Sequence, residues 1–185
     1  MRDASRSQAR QYARALLEVA EERGDGEALR LRDELRQLTA QVGHHPVLRA
    51  ALGGRGVTPA DRGRVLAAIA ESAGASPLLS CLVDVLATRD HLSLVPVLGE
   101  VYAELANAAN GILPVEATGA VALSAEQEQA LLAVLRTATG SEVELSTRVE
   151  PEVLGGLRVK MKGRTYDGTV SGRLQALRRS LASGS

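Results

Sequence analysis

Few side chains in this sequence are of the kinds that carry chemistry, and their spacing keeps them apart. Cys81 is the only cysteine, and His44, His45 and His91 are the only histidines. A nucleophilic thiol needs a neighbouring base, and nothing in the sequence positions one beside Cys81. On the apolar arc of a helix it is expected as a small buried hydrophobe. His44 and His45 are consecutive at a helix end, so they point different ways and cannot clamp one metal unaided. His91 falls just after another helix, and capping or surface positions are expected for all three. The run Gly53-Gly54-Arg55-Gly56 does not follow a strand, and no Gly-Lys pair occurs anywhere, so no phosphate cradle is expected. The remaining acids lie mostly on polar helix faces. These residues predict no catalytic, metal or cofactor site.

Composition narrows the classes further. Lysine and arginine together number 22 and so do aspartate and glutamate, for a formal net charge of zero. The balance holds locally: residues 1–110 carry 13 basic and 14 acidic side chains, and 111–185 carry 9 and 8. Nucleic-acid binders concentrate basic charge and offer stacking aromatics. Here the aromatics are Tyr12, Tyr102 and Tyr166 alone, with no Phe or Trp, so nucleic acid is excluded as a partner class. A lone cysteine suits a reducing compartment. No apolar run approaches the roughly 18–20 residues of a membrane span. The Arg-rich, amphipathic N-terminus has the look of a transit peptide, but Asp3 and the acids from Glu18 to Glu22 interrupt that pattern. The segment is expected to be mature protein.

The elements that would position any site are mostly helices. Pro77 to Asp90 is the most apolar: at about 100° per residue, Leu78, Leu79, Cys81, Leu82, Val83, Val85, Leu86 and Ala87 cover an arc of about 240°. A helix facing one core needs little more than about 100°. This helix is therefore either the central post of a bundle or lies between its own core and a partner. The first helix, about Ser5 to Glu22, repeats the theme with Ala9, Tyr12, Ala13, Leu16, Leu17, Val19 and Ala20 over about 160°. Arg2, Arg6, Arg10 and Arg14 form a basic edge beside it. Further helices are predicted over about 27–42, over 46–52 from Pro46, from Thr58-Pro59 to about Ser72, and from Ser93 to Asn110. Ser76-Pro77 supplies an N-cap and a proline at the first helical position of the apolar helix.

The texture changes at Asn110-Gly111. Strand patterns over 112–120 and 142–149 flank a helix opened by the capping box Ser124-Ala125-Glu126-Gln127 and ended before Gly140. Gly156 to Met161 and Arg164 to Tyr166 alternate about a Lys162-Gly163 turn and read as a hairpin. Asp167-Gly168-Thr169 then starts a last helix to about Ala182, whose Val170, Leu174, Leu177 and Leu181 are expected to face the sheet. The fold class is mainly α: an N-terminal six-helix bundle, about 1–108, followed by a small α+β domain, about 111–182.

One pattern is more specific. Val149-Glu150-Pro151-Glu152-Val153-Leu154-Gly155-Gly156-Leu157-Arg158-Val159-Lys160 is followed by Asp167-Gly168-Thr169-Val170-Ser171-Gly172-Arg173-Leu174. The paired glycines permit a turn and a close approach that a side chain would obstruct. This run resembles the C-terminal signature of the δ subunit of F-type ATP synthases, the family called in mitochondria the oligomycin sensitivity-conferring protein. Tyr12-Ala13-Arg14-Ala15-Leu16 is similar to the family's N-terminal motif, and the order of elements matches over nearly the whole chain. Two departures stand out: Thr169 occupies a position where Ser is common, and the hairpin from Lys160 to Tyr166 is strongly basic.

The resemblance implies a non-catalytic stator subunit that needs no cofactor. Family members bind N-terminal segments of the α subunits of the catalytic head and hold the b subunits of the peripheral stalk. Their α segment lies against the first and fifth helices. The corresponding positions here are Tyr12, Ala13 and Leu16 with Leu79, Leu82, Val83 and Leu86. The small domain engages the stalk, with Gly155, Gly156, Asp167, Gly168 and Leu174 in its stalk-facing or structural motif. No extension precedes the first-helix motif, which favours a bacterial chain on the cytoplasmic face of the plasma membrane, touching the membrane only through the complex; a processed organellar chain would look similar. A helical adaptor of an unrelated complex would also explain the wide apolar arcs, but not the C-terminal motif.

Overall fold

A computed structural model describes residues 2–24, 26–44, 58–72 and 74–172. The chain divides into two compact units, Met1–Ala106 and Asn107–Ser185. In the first, α1 (Arg2–Arg23), α2 (Glu27–His44), α3 (Pro59–Ser72) and α4 (Pro77–Thr88) are followed by a 3-10 turn (Leu92–Leu94) and α5 (Val95–Ala109). The short helix expected over 46–52 and the Gly53–Gly56 loop lie outside the described residues. The 3-10 turn replaces the start expected at Ser93, because Pro96 has no N–H and suits only the first turn of the α-helix that follows.

The core of this unit is built from aliphatic side chains around one aromatic. Tyr102 is wholly buried among Ala9, Ala13, Leu31, Leu35, Leu38, Leu79, Val83, Leu86 and Leu98. Its hydroxyl donates to the Ala28 carbonyl at 3.3 Å. Burial, reinforced by Glu21 and Glu27, pushes that hydroxyl's pKa far above its ordinary value. The start of α4 is fixed twice over. The Ser76 oxygen accepts from Leu79 N at 3.3 Å, and the Ser76 amide and hydroxyl donate to Glu34 Oε2 of α2 at 3.0 and 2.6 Å. This is the predicted cap, with a long-range anchor that local sequence does not display.

The second unit is α+β. β1 (Ile112–Gly119) leads into α6 (Ala125–Thr139), β2 (Glu142–Val149), a 3-10 turn (Pro151–Val153), β3 (Leu157–Met161) and β4 (Arg164–Asp167). The sheet order is β2-β1-β3-β4. β1 runs parallel to β2, with Val115 opposite Leu145, and antiparallel to β3, with Val115 opposite Met161. α6 makes that parallel pairing possible, since parallel neighbours need a crossover. Ser124 and Gln127 form the full capping box at its start, and Gly140 ends it at φ 63°. Leu113, Val115, Leu135 and Val143 make the core, with Leu131, Leu132, Leu145, Val159 and Met161 against it. The buried alternation expected along β2 stops after Leu145, and Val149 is 49% exposed.

Candidate functional site: a groove between two helices

The two wide apolar arcs resolve into two faces each. On α4, Leu78, Leu79, Leu82, Val83 and Leu86 are buried in the unit's own core, whereas Cys81 and Val85 are exposed. Cys81 is therefore not the buried hydrophobe expected of it. Its arc was wide enough to face two ways, and it sits on the outward flank. On α1, Ala9, Ala13, Leu16 and Ala20 are buried while Val19 is 39% exposed.

A groove of about 430 Å³ opens between these outward flanks, lined by Gln8, Gln11, Tyr12, Ala15, Val85, Arg89 and His91. Gln8, Gln11, Tyr12 and Ala15 share one helical stripe, as do Val85 and Arg89. Val19 and Cys81 continue the two walls by one turn each.

One end of the groove is held by a hydrogen-bonded triplet. The Gln8 side-chain nitrogen lies 3.2 Å from His91 Nε2, and the Tyr12 hydroxyl 2.9 Å from His91 Nδ1. The imidazole thus bridges the Gln8 amide and the Tyr12 hydroxyl, one on each ring nitrogen. The Tyr12 and His91 rings stand edge to face at 77°, with centroids 5.9 Å apart. His91 thus braces a wall of the groove. Among the described residues no group of three or more His, Cys, Asp or Glu is placed to hold a metal.

The groove's charge comes from Arg89. The neighbouring Asp90 is held by Arg62 at 2.8 Å, so it is engaged away from Arg89. The basic edge of α1 does not border the groove. At about 100° per residue, Arg6, Arg10 and Arg14 lie on the opposite flank of the buried face, and Arg6 reaches Glu104 of α5 at 2.5 Å.

Of the positions carried over from the resemblance, only Tyr12 lines this groove. Ala13, Leu16, Leu79, Leu82, Val83 and Leu86 all point into the core. The open surface lies about a quarter turn around both helices. Periodicity marks an apolar arc but does not say which part of it a third helix covers. Gln8, Gln11, Ala15 and Arg89 were not singled out from sequence; Val85 entered only as part of the apolar arc, and His91 only as an expected capping or surface position. The signal for them was the mixed stripe 8-11-12-15 beside a helix already too apolar for one core.

The C-terminal motif has a mainly structural geometry. Gly156 has φ 77°, and a Cβ there would stand 2.5 Å from the Gly168 carbonyl oxygen. Two chain segments cross at that point, tied by Gly168 N donating to Leu157 O and Val170 N to Gly155 O, both at 3.0 Å. Asp167 Oδ1 accepts from the Thr169 amide at 3.0 Å and its hydroxyl at 2.6 Å, and Thr169 Oγ1 accepts from Gly172 N at 2.9 Å. Thr169, wholly buried, thus caps the segment beginning at Val170. The Thr169 hydroxyl and amide, aided by Arg158, hold the Asp167 carboxyl below its ordinary pKa. Gly155 and Gly168 flank the crossing, Val170 is 46% exposed, and Leu174, Leu177 and Leu181 lie outside the described residues.

The comparisons agree with the motif. The family described as ATP synthase delta (OSCP) subunit matches residues 9–181. The ATP synthase subunit delta of Symbiobacterium thermophilum is 34% identical over 95% of this chain and 92% of its own length. Those of Agrobacterium fabrum and Maricaulis maris are 33% and 32% identical, over 94% and 92% of this chain and 91% and 94% of their own lengths. A chain of the Toxoplasma gondii mitochondrial ATP synthase hexamer, solved by cryo-EM, shares the fold with a TM-score of 0.63 at 20% identity, over 94% of this chain and 97% of that one. With its motif, its order of elements and these relatives in agreement, the chain belongs to the ATP synthase delta (OSCP) subunit family.

Proposed function

We infer that this chain, a non-catalytic peripheral-stalk subunit of an F-type ATP synthase, grips the catalytic head through the groove between α1 and α4. The occupant is an amphipathic N-terminal helix of the head's α subunits. It lays its apolar side on Tyr12, Ala15 and Val85 and meets the polar groups of Gln8, Gln11, Arg89 and His91 at the rim, the helix-in-groove mode of recognition. The small α+β unit holds the b subunits of the stalk. Joined in this way, the head is prevented from turning with the rotor, and rotor torque is delivered to ATP synthesis.

The observation that carries this reading is the groove itself. Both its helices line it with exposed apolar residues, Ala15 on one and Val85, 38% exposed, on the other, and its polar end is braced by the Tyr12–His91 contact. The bacterial relatives favour a place on the cytoplasmic face of the plasma membrane, reached through the complex. No helix among the described residues is long and apolar enough to cross a membrane.

Affinity isolation of the tagged full chain from gently solubilised membranes of its own source tests the assignment. Recovery of α, β and b subunits is expected, and recovery of a different complex would overturn it.

A further inference from the structure

The strongly basic hairpin is left unused by the groove and by the glycine crossing. Lys160 and Lys162 are the only lysines in the chain, and with Arg164 they are exposed on the β3–β4 hairpin. The other described arginines of this unit are all paired: Arg136 with Glu142, Arg148 with Glu116, and Arg158 with Glu150 and Asp167. Lys160, Lys162 and Arg164 have no such partner among the described residues.

The turn carries a second, independent sign. Met161 pairs with Arg164, so Lys162 and Gly163 alone make the loop, with φ 47° and 72°. Two positive φ values in a two-residue loop match a type I′ turn, whose first position favours Asn, Asp or Gly. A lysine there breaks the local preference, and such departures collect at functional positions. Protection of the outer strand β4 against edge pairing would account for a charge on β4. It does not account for a lysine in a left-handed turn, whereas Lys160 on the inner strand β3 stands opposite Glu116 of β1 and has a cross-strand reason of its own.

We propose that this hairpin is the cationic contact by which the small unit holds an acidic stretch of its stalk partner, with Lys162 at the tip as its main determinant. The proposal rests on the reading that this unit engages the stalk, and adds the chemistry of the contact. Tyr166 is 49% exposed, and the pairing of Tyr166 with Val159 and of Arg164 with Met161 puts it on the same face of the hairpin as Arg164, with Lys160, opposite Thr165, on the other face, so it offers an aromatic surface beside Arg164 below the Lys162 tip. A lipid surface fits less well, since polybasic membrane segments carry about four to eight basic residues.

The test measures affinity between the full chain and the soluble part of the b subunits of the same source, across a range of salt. Wild-type binding should weaken as salt rises. K162N should hold or raise the melting temperature, because asparagine suits the turn, yet lower affinity about 2- to 5-fold. K160E/K162E/R164E should lower affinity further and flatten the salt dependence. Stalk binding that these variants leave intact would overturn this proposal alone. So would loss of binding only to phosphatidylglycerol vesicles. Failure of the wild-type chain to bind the stalk would overturn the underlying reading as well.

Discussion

Tyr12 and His91 are separated by 79 positions and meet side by side, the tyrosine hydroxyl 2.9 Å from the imidazole Nδ1. The contact joins the middle of α1 to the third residue beyond α4, so it sets the width of the groove at that end. Tyr12→Phe keeps the ring and removes the hydrogen bond. A typical net contribution is about 1 kcal/mol, and chemical denaturation should show a loss of that order. The same variant should weaken head binding several-fold. Unchanged stability and binding would mean that the contact does not shape the groove.

The anchor at the other end of α4 gives a second expectation. Ser76 caps the helix and donates twice to Glu34. Ser76→Ala removes the cap and leaves Glu34 short of partners in a half-buried position. A cap alone is worth about 1 kcal/mol, and a charge-assisted bond about 1.5–3 kcal/mol. A destabilisation of about 2 kcal/mol is therefore expected by thermal unfolding. Glu34→Gln should cost less, because its side chain can still accept one bond.

At the crossing of the C-terminal motif, Gly156→Ala should be severe. The φ of 77° already disfavours any side chain, and the new Cβ would meet a carbonyl oxygen at 2.5 Å. A left-handed non-glycine residue costs about 1–3 kcal/mol before that collision is relieved. Hydrogen exchange should localise the loss to β3 and the segment after Gly168. Normal protection there would show that the backbone crossing relaxes cheaply.

Asp167 predicts the acid behaviour of the same unit. Its pKa lies below the ordinary 3.8, chiefly through the Thr169 hydroxyl and amide. A depressed folded-state value stabilises the fold above the unfolded pKa. That contribution is lost as pH falls from about 3.8 through the lower folded value. Asp167→Asn should therefore be less stable than the native chain at neutral pH and should lose less stability on acidification. Parallel pH profiles for the two proteins would contradict this assignment.

Much of the fold is legible in local sequence. Ser76-Pro77 and the Ser124–Gln127 capping box each carry their instructions within four residues, and both appear where expected; the hairpin turn also forms where expected, on Gly163, although Lys162 departs from the turn's preference. What local sequence lacks is the identity of the neighbour. The arc of α4 announces a second face, but the exposure of Cys81 and burial of Val83 depend on where other helices lie. The tie from Glu34 to Ser76 spans 42 positions, and the parallel pairing of β1 with β2 is set by the whole βαβ unit. The groove was legible as a need for a partner, not as a list of its residues.

The most direct test of the account is the affinity of the full chain for a peptide comprising the N-terminal segment of the α subunit from the same source. Val85→Asp and Ala15→Asp place a charge on exposed groove positions without entering the core. Desolvating an unpaired polar group costs about 1–3 kcal/mol, so each should bind about tenfold or more weakly while melting like the native chain. Native-like affinity in both folded variants would place the head contact elsewhere on the subunit.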